Sequence, residues 1–153
     1  MATVISSIAL DALDPPLLAR FWTQALGYRF LESNDAGVIS LGPVDGAGPD
    51  IDIIPVPEPK SVKNRLHLDL RAAGGSTQEQ EVERLLALGA VRADVGQGSA
   101  VDWVVLADPE GNEFCVLRRS AEEASLDVPA ALDTPAAPSM GEGPAALTAA
   151  GPS

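Results

Sequence analysis

Apolar and polar positions change period several times along the chain. Val4 to Leu10 is a short run rich in β-branched residues and reads as a strand. Asp14-Pro15-Pro16 follows, an N-cap residue with proline in the first helical turn. Leu17, Leu18, Phe21, Trp22, Ala25 and Leu26 then recur at helical spacing, and Gly27 is placed to end that helix. Three short β-like stretches come next: Tyr28 to Leu31, Gly37 to Leu41 and Asp50 to Ile54. Gly42-Pro43 and Asp45-Gly46 mark turns between them.

The order then repeats. Arg65 to Leu70 alternates as a strand, and Gly74-Gly75-Ser76 breaks it. Ser76 or Thr77 caps an amphipathic helix carrying Val82, Leu85, Leu86 and Leu88, ended by Gly89. Ala90 to Ala93, Val101 to Leu106 and Glu113 to Leu117 read as strands. One helix closes with Leu26-Gly27-Tyr28 and the other with Leu88-Gly89-Ala90. The pattern predicts an α+β fold of two βαβββ modules. Module one is residues 1–54, the proline-rich linker 55–62, and module two 63–119. A single repetition is too few for a solenoid.

Composition shifts after Arg119. Residues 120–153 hold five of the 13 prolines, many alanines, no aromatic residue and no Lys or Arg. Such a segment buries too little apolar surface to offset the entropy of ordering. It is expected to be a flexible acidic tail, with a short helical start at Ala121 to Leu126.

Charge and cysteine usage narrow the function. The chain has 10 basic and 22 acidic side chains, for a net charge of −12. It lacks the basic stripe that a nucleic-acid backbone requires. No apolar run reaches the roughly 20 residues that span a bilayer. No basic residue precedes the apolar run at the N-terminus, against a secretory signal. One cysteine, Cys115, cannot form an internal disulfide, so the expected location is cytoplasmic.

Three segments carry a resemblance to a known family: Ala19-Arg20-Phe21-Trp22 through Leu26-Gly27-Tyr28, Asn64-Arg65-Leu66-His67-Leu68-Asp69-Leu70, and Asp108-Pro109-Glu110-Gly111-Asn112-Glu113-Phe114. Over residues 3–119 the chain resembles the vicinal-oxygen-chelate superfamily of glyoxalase I, extradiol dioxygenases and bleomycin-resistance proteins. Within it the chain is most similar to the actinobacterial glyoxalase-like domain group. The resemblance implies curled mixed sheets that form a ligand cup, with helices outside. It implies no single reaction, because lyases, isomerases, dioxygenases and plain binders share the fold. It leaves two arrangements open, modules paired within one chain or exchanged across a homodimer.

Strand parity sorts residues between the helix side and the cup. Leu66, Leu68 and Leu70 are expected toward the helices, leaving Arg65, His67 and Asp69 in the cup. Phe114 and Val116 suit the helix side, leaving Glu113, Cys115 and Leu117. Ile51 and Ile53 leave Asp50, Asp52 and Ile54; Ile8 and Leu10 leave Ser7 and Ala9. Trp22, at helical spacing with Leu18 and Leu26, reads as core. Trp103 reads as a cup wall. Lys60 and Lys63 read as solvated surface. Asp108-Pro109-Glu110-Gly111 reads as a turn without chemistry.

By the resemblance, His67 stands where the superfamily places a metal-binding histidine. The matching position in module one is Ser7, and the last-strand carboxylate position is Cys115. Serine is a poor ligand for zinc, nickel or iron, and Cys115 needs partners to hold a soft metal. A set of His67, Glu113 and Asp52 is conceivable, but no spacing demands it. As a nucleophile Cys115 would need a lowered pKa; a small buried thiol is the plainer reading. The expectation is a metal-free, cofactor-free protein that sequesters a small, partly aromatic or cationic molecule. Its ligand-binding residues are Ser7, Asp52, Ile54, His67, Asp69, Trp103, Glu113 and Cys115. One alternative is a metal-dependent lyase, isomerase or dioxygenase; another is an acid–base isomerase or cyclase using Glu113 or His67.

Overall fold

Asp14 begins the first helix as expected: its side chain accepts the Leu17 amide, and Pro15 and Pro16 fill the first turn. Gly27, at φ 65°, ends it in the left-handed region that favours glycine. The computed structural model describes residues 2–126. Module one is β1 (Ser7–Ala12), α1 (Pro15–Leu26), β2 (Tyr28–Ser33), β3 (Ile39–Pro43) and β4 (Asp50–Pro55). Module two is β5 (Asp69–Leu70), α2 (Gln78–Leu88), β6 (Val91–Arg92), β7 (Val104–Ala107) and β8 (Glu113–Val116). Thr77 caps α2 in a reciprocal box with Gln80.

The two modules repeat one topology. The first sheet runs β1-β4-β3-β2 and the second β5-β8-β7-β6. In each, the opening strand lies at an edge and pairs in parallel with the last strand, while the remaining pairs are antiparallel. This is the α+β, two-module fold that the pattern predicts.

Two opening strands are shorter at their N-termini than the apolar alternation suggests, for one reason. Ser7 pairs with Asp50, so residues 4–6 would lie opposite the turn before β4. Val4 and Ile5 stay unpaired and are 91% and 74% exposed. Asp69 pairs with Cys115, so residues 65–66 would lie opposite Gly111 and Asn112, which belong to a turn. Leu66, expected toward the helices, is therefore 75% exposed. Strand propensity cannot act where the neighbouring strand has not begun.

Both sheets turn their apolar faces to one core. Leu18, Phe21 and Trp22 of α1 pack with Ile51 and Ile53 of β4, and the same cluster holds Leu85, Leu106, Phe114 and Val116 of module two. The Trp22 and Phe114 rings sit 5.2 Å apart, edge to face. Trp22 Nε1 donates to the buried Asp108 carboxylate at 3.1 Å. Asp108 also accepts the Glu110 and Asn112 amides, which sets the turn, and Gly111 there takes φ 88°. Glu110 in turn accepts the Leu13 and Asp14 amides at 2.8 and 2.6 Å. The Asp108–Gly111 turn thus joins the modules as well as reversing the chain.

Arg84 of α2 adds a further clasp by donating to the Gln24 and Ala25 carbonyls at the end of α1. Its pair with Glu81 is exposed and counts for little. Arg84→Ala is therefore expected to cost about 1 kcal/mol, the worth of charge-assisted bonds to carbonyls of a helix end, read from the midpoint of urea unfolding.

Past β8 the described chain continues into α3 (Ala121–Ser125). The Ala121 amide donates to the Ala72 carbonyl, and Glu122 accepts the Gly74 amide. The helical start expected at Ala121 is thus tied to module two. The rest of the expected tail, residues 127–153, lies outside the described residues.

Candidate functional site

On the side of β5 and β8 away from the core, the parallel register places Asp69 beside Cys115. His67 falls two residues before Asp69. Among the described residues, the ligand atoms of His67, Asp69 and Cys115 all lie within 4.8 Å of one another. His67 and Asp69 are exposed and Cys115 is buried. Burial pushes the Cys115 thiol up to about 11, aided by its hydrogen bond to Asp69 and that carboxylate's charge, and opposed by Lys63. At neutral pH the sulfur therefore keeps its proton.

Together these three residues offer an imidazole, a carboxylate and a thiol. A nucleophilic step needs the thiolate, and here burial first, then the Asp69 carboxylate, hold the thiol in its neutral form.

Glu113 shares a strand with Cys115 but turns to a different task. One carboxylate oxygen accepts Lys60 Nζ at 2.9 Å and the other accepts the Asn64 amide at 3.0 Å. Burial pushes its pKa up, but the Lys60 and Asn64 hydrogen bonds outweigh burial and hold it below the usual carboxylate value. Lys60, read from the sequence as solvated surface, is this carboxylate's partner.

The module-one candidates stand on the opposite side of their own sheet from the core. Ser7 is exposed at the start of β1, while Asp52 and Ile54 are half-buried on β4. Asp52 accepts the Ser40 hydroxyl at 2.6 Å. Among the described residues no hydrogen bond links this set to His67, Asp69 or Cys115. Trp103 precedes β7 and is 40% exposed.

A cavity of ≈ 470 Å³ opens between the two sheet edges, with β1 residues 8–11 on one side and residues 65–68 on the other. The linker crosses it, and Trp22 and Phe114 reach it from the core. Of the sequence-predicted site residues, His67 and Glu113 line this cavity; Ser7, Asp52, Ile54, Asp69, Trp103 and Cys115 do not. His67 is common to the cavity and to the cluster with Asp69 and Cys115. Sequence reasoning put Arg65 in the cup, where it lines the cavity, but missed Trp22, Lys60 and Lys63 as cavity residues. The cations crowded between Lys60 and Arg65 were the available signal; Trp22 gave none, because core and cavity contact share one helical spacing.

The paired βαβββ sheets, with their opening strands at the edges, define a protein of the vicinal-oxygen-chelate superfamily. A family model described as a glyoxalase-like domain matches residues 7–117. The chain belongs to that glyoxalase-like family. It is similar to the fosfomycin resistance protein FosX from Listeria monocytogenes at 17% identity, over 82% of this chain and 98% of that one, with a TM-score of 0.61. It is also similar to FosX from Mesorhizobium loti at 12% identity, over 82% and 99%, TM-score 0.60. A glyoxalase/bleomycin resistance protein/dioxygenase family enzyme from Burkholderia phytofirmans shares 21% identity over 72% and 94%, TM-score 0.53. At these identities the likeness is one of fold. No curated protein matches the chain. Among the described residues no helix is long and apolar enough to cross a membrane.

Proposed function

We propose that this protein binds and sequesters a small, partly aromatic or cationic organic molecule without a metal, with His67 as its central contact. The observation that carries the reading is the cavity of ≈ 470 Å³ with His67 on its wall. That volume falls within the roughly 300–1,000 Å³ of small-molecule sites. Ile8, Leu10 and Leu66 offer apolar contact, and Asp11 and Glu58 offer negative charge to a cationic group. Asp69 and Cys115 adjoin through His67 and would orient polar groups that reach past it. The relatives' names support a small-molecule role: one FosX structure holds Mn(II) and a dihydroxypropylphosphonic acid.

Ser7, Asp52 and Ile54 would meet the same ligand only if a second copy set its module-one sheet against module two, where Trp103 lies. The homodimer is thus part of the proposal for those residues. A cytoplasmic setting suits the single thiol.

The convergence of His67, Asp69 and Cys115 supports a second reading, a metal-dependent lyase, isomerase or dioxygenase. Elemental analysis of protein purified without a histidine tag separates the two. The binder reading expects well under one equivalent of zinc, nickel, iron or manganese. It also expects a melting temperature that chelation leaves unchanged, since no metal binding would be linked to folding. His67→Ala should weaken capture of a small molecule seen by native mass spectrometry about tenfold, the worth of one good polar contact. A stoichiometric metal that disappears in His67→Ala would overturn the binder and establish the metalloenzyme.

A further inference from the structure

We propose that residues 56–68 form a strap over the seam cavity and that the Glu113 carboxylate is the latch that keeps it closed. The strap runs from β4 to β5 without helix or strand and makes up much of the cavity wall. Its ends are anchored by backbone. The Val56 amide donates to the Ala12 carbonyl at 2.9 Å, and the Leu68 carbonyl accepts the Cys115 amide at 2.9 Å. Between those anchors, the hydrogen bonds that tie the strap to the rest of the described chain both end on Glu113, from Lys60 Nζ and from the Asn64 amide.

Leu68 packs against the core at the second anchor, but between the anchors apolar packing does little to hold the strap. Val62 and Leu66, its large aliphatic side chains near the middle, are 74% and 75% exposed. The latch side chains are less open than these, with Glu113 and Lys60 at 12% and 20% exposed, although the Lys60 residue as a whole is exposed. Glu113 is also the first residue of β8, directly after the turn that Asp108 braces against Trp22. One end of the latch is therefore fixed to the core and the other to the strap. Glu113 acts as a positioning residue: it sets the strap, and the strap sets access to the cavity. A segment with few buried apolar contacts and two tethers is the kind that opens locally without global unfolding.

The claim about access rests on the cavity being the ligand site, but the latch can be measured without a ligand. The chain has two tryptophans. In a Trp103→Phe background, acrylamide quenching of fluorescence reports Trp22, which is buried and lies at the cavity. Glu113→Gln and Lys60→Ala should each raise the quenching constant at least threefold, with far-UV circular dichroism unchanged. Lys60→Arg, which keeps a cation in reach of Glu113, should return it to the parent value. Hydrogen exchange across residues 61–67 should accelerate in step, while α1 amides keep their protection. If Glu113→Gln fails to fold, the Lys60→Ala and Lys60→Arg pair decides. Quenching in Lys60→Ala equal to the parent, or no rescue by Lys60→Arg, would overturn the latch. With Trp103 retained, stopped-flow uptake of anilinonaphthalene sulfonate should also speed up in Glu113→Gln. Faster quenching with unchanged dye uptake would leave the latch standing and sink the cavity as the ligand site.

Discussion

Replacing Trp22 by alanine is expected to lower unfolding free energy by about 3–5 kcal/mol, the usual cost of deleting a fully buried large aromatic side chain. Trp22 has 1% of its surface exposed. It sits where the modules meet, edge-on to both Phe21 and Phe114, with its ring N–H on Asp108. The loss therefore combines apolar transfer, a cavity that backbone from two modules cannot collapse to fill, and one buried hydrogen bond. Trp22→Phe should cost less, about 1–2 kcal/mol, because a ring remains and Asp108 keeps its amide donors from Glu110 and Asn112. Urea unfolding followed by circular dichroism measures both. A loss below about 1 kcal/mol for Trp22→Ala would mean that the halves do not share this core.

Cys115 should resist alkylation by iodoacetamide at neutral pH by about 100-fold relative to an unperturbed thiol, since only the thiolate reacts. The thiol is raised from 9.0 to about 11, and two pKa units cut the thiolate fraction by that factor. Burial is the larger cause and will slow the reagent further. Asp69 is the second, so Asp69→Asn should recover part of the rate while leaving burial in place. Following the mass shift over time checks this. A wild-type rate close to that of free cysteine would show that the thiol is accessible and its pKa not raised, and would reopen Cys115 as a nucleophile.

The alternative of an acid–base isomerase built on Glu113 loses support from the geometry. Its carboxylate has both oxygens occupied by the linker and a pKa held low, the reverse of a base tuned toward neutral pH. Parity put Glu113 on the same sheet face as Cys115. Parity could not say that the carboxylate at the first position of a strand reaches the linker beyond the sheet edge.

What the sequence determined by itself was local and periodic. Asp14 with Pro15, Thr77 with Gln80, and the glycines Gly27 and Gly89 placed both helices, because caps act through hydrogen bonds and φ angles within a few residues. Alternation sorted Ile51, Ile53, Phe114 and Val116 to the core, because a strand has only two faces. The repeated element order was enough for the two-module fold. What only the tertiary structure decided was which distant groups meet. The Asp69–Cys115 register made a cluster with His67, and it also left Leu66 outside any strand. The joining of Trp22 to Asp108 across the modules, and the capture of Lys60 and Asn64 by Glu113, were decided in the same way. None of these pairs has a local signature. Each depends on how two separately formed modules dock, and that is set by the volume and shape of a shared core rather than by the propensity of any one segment.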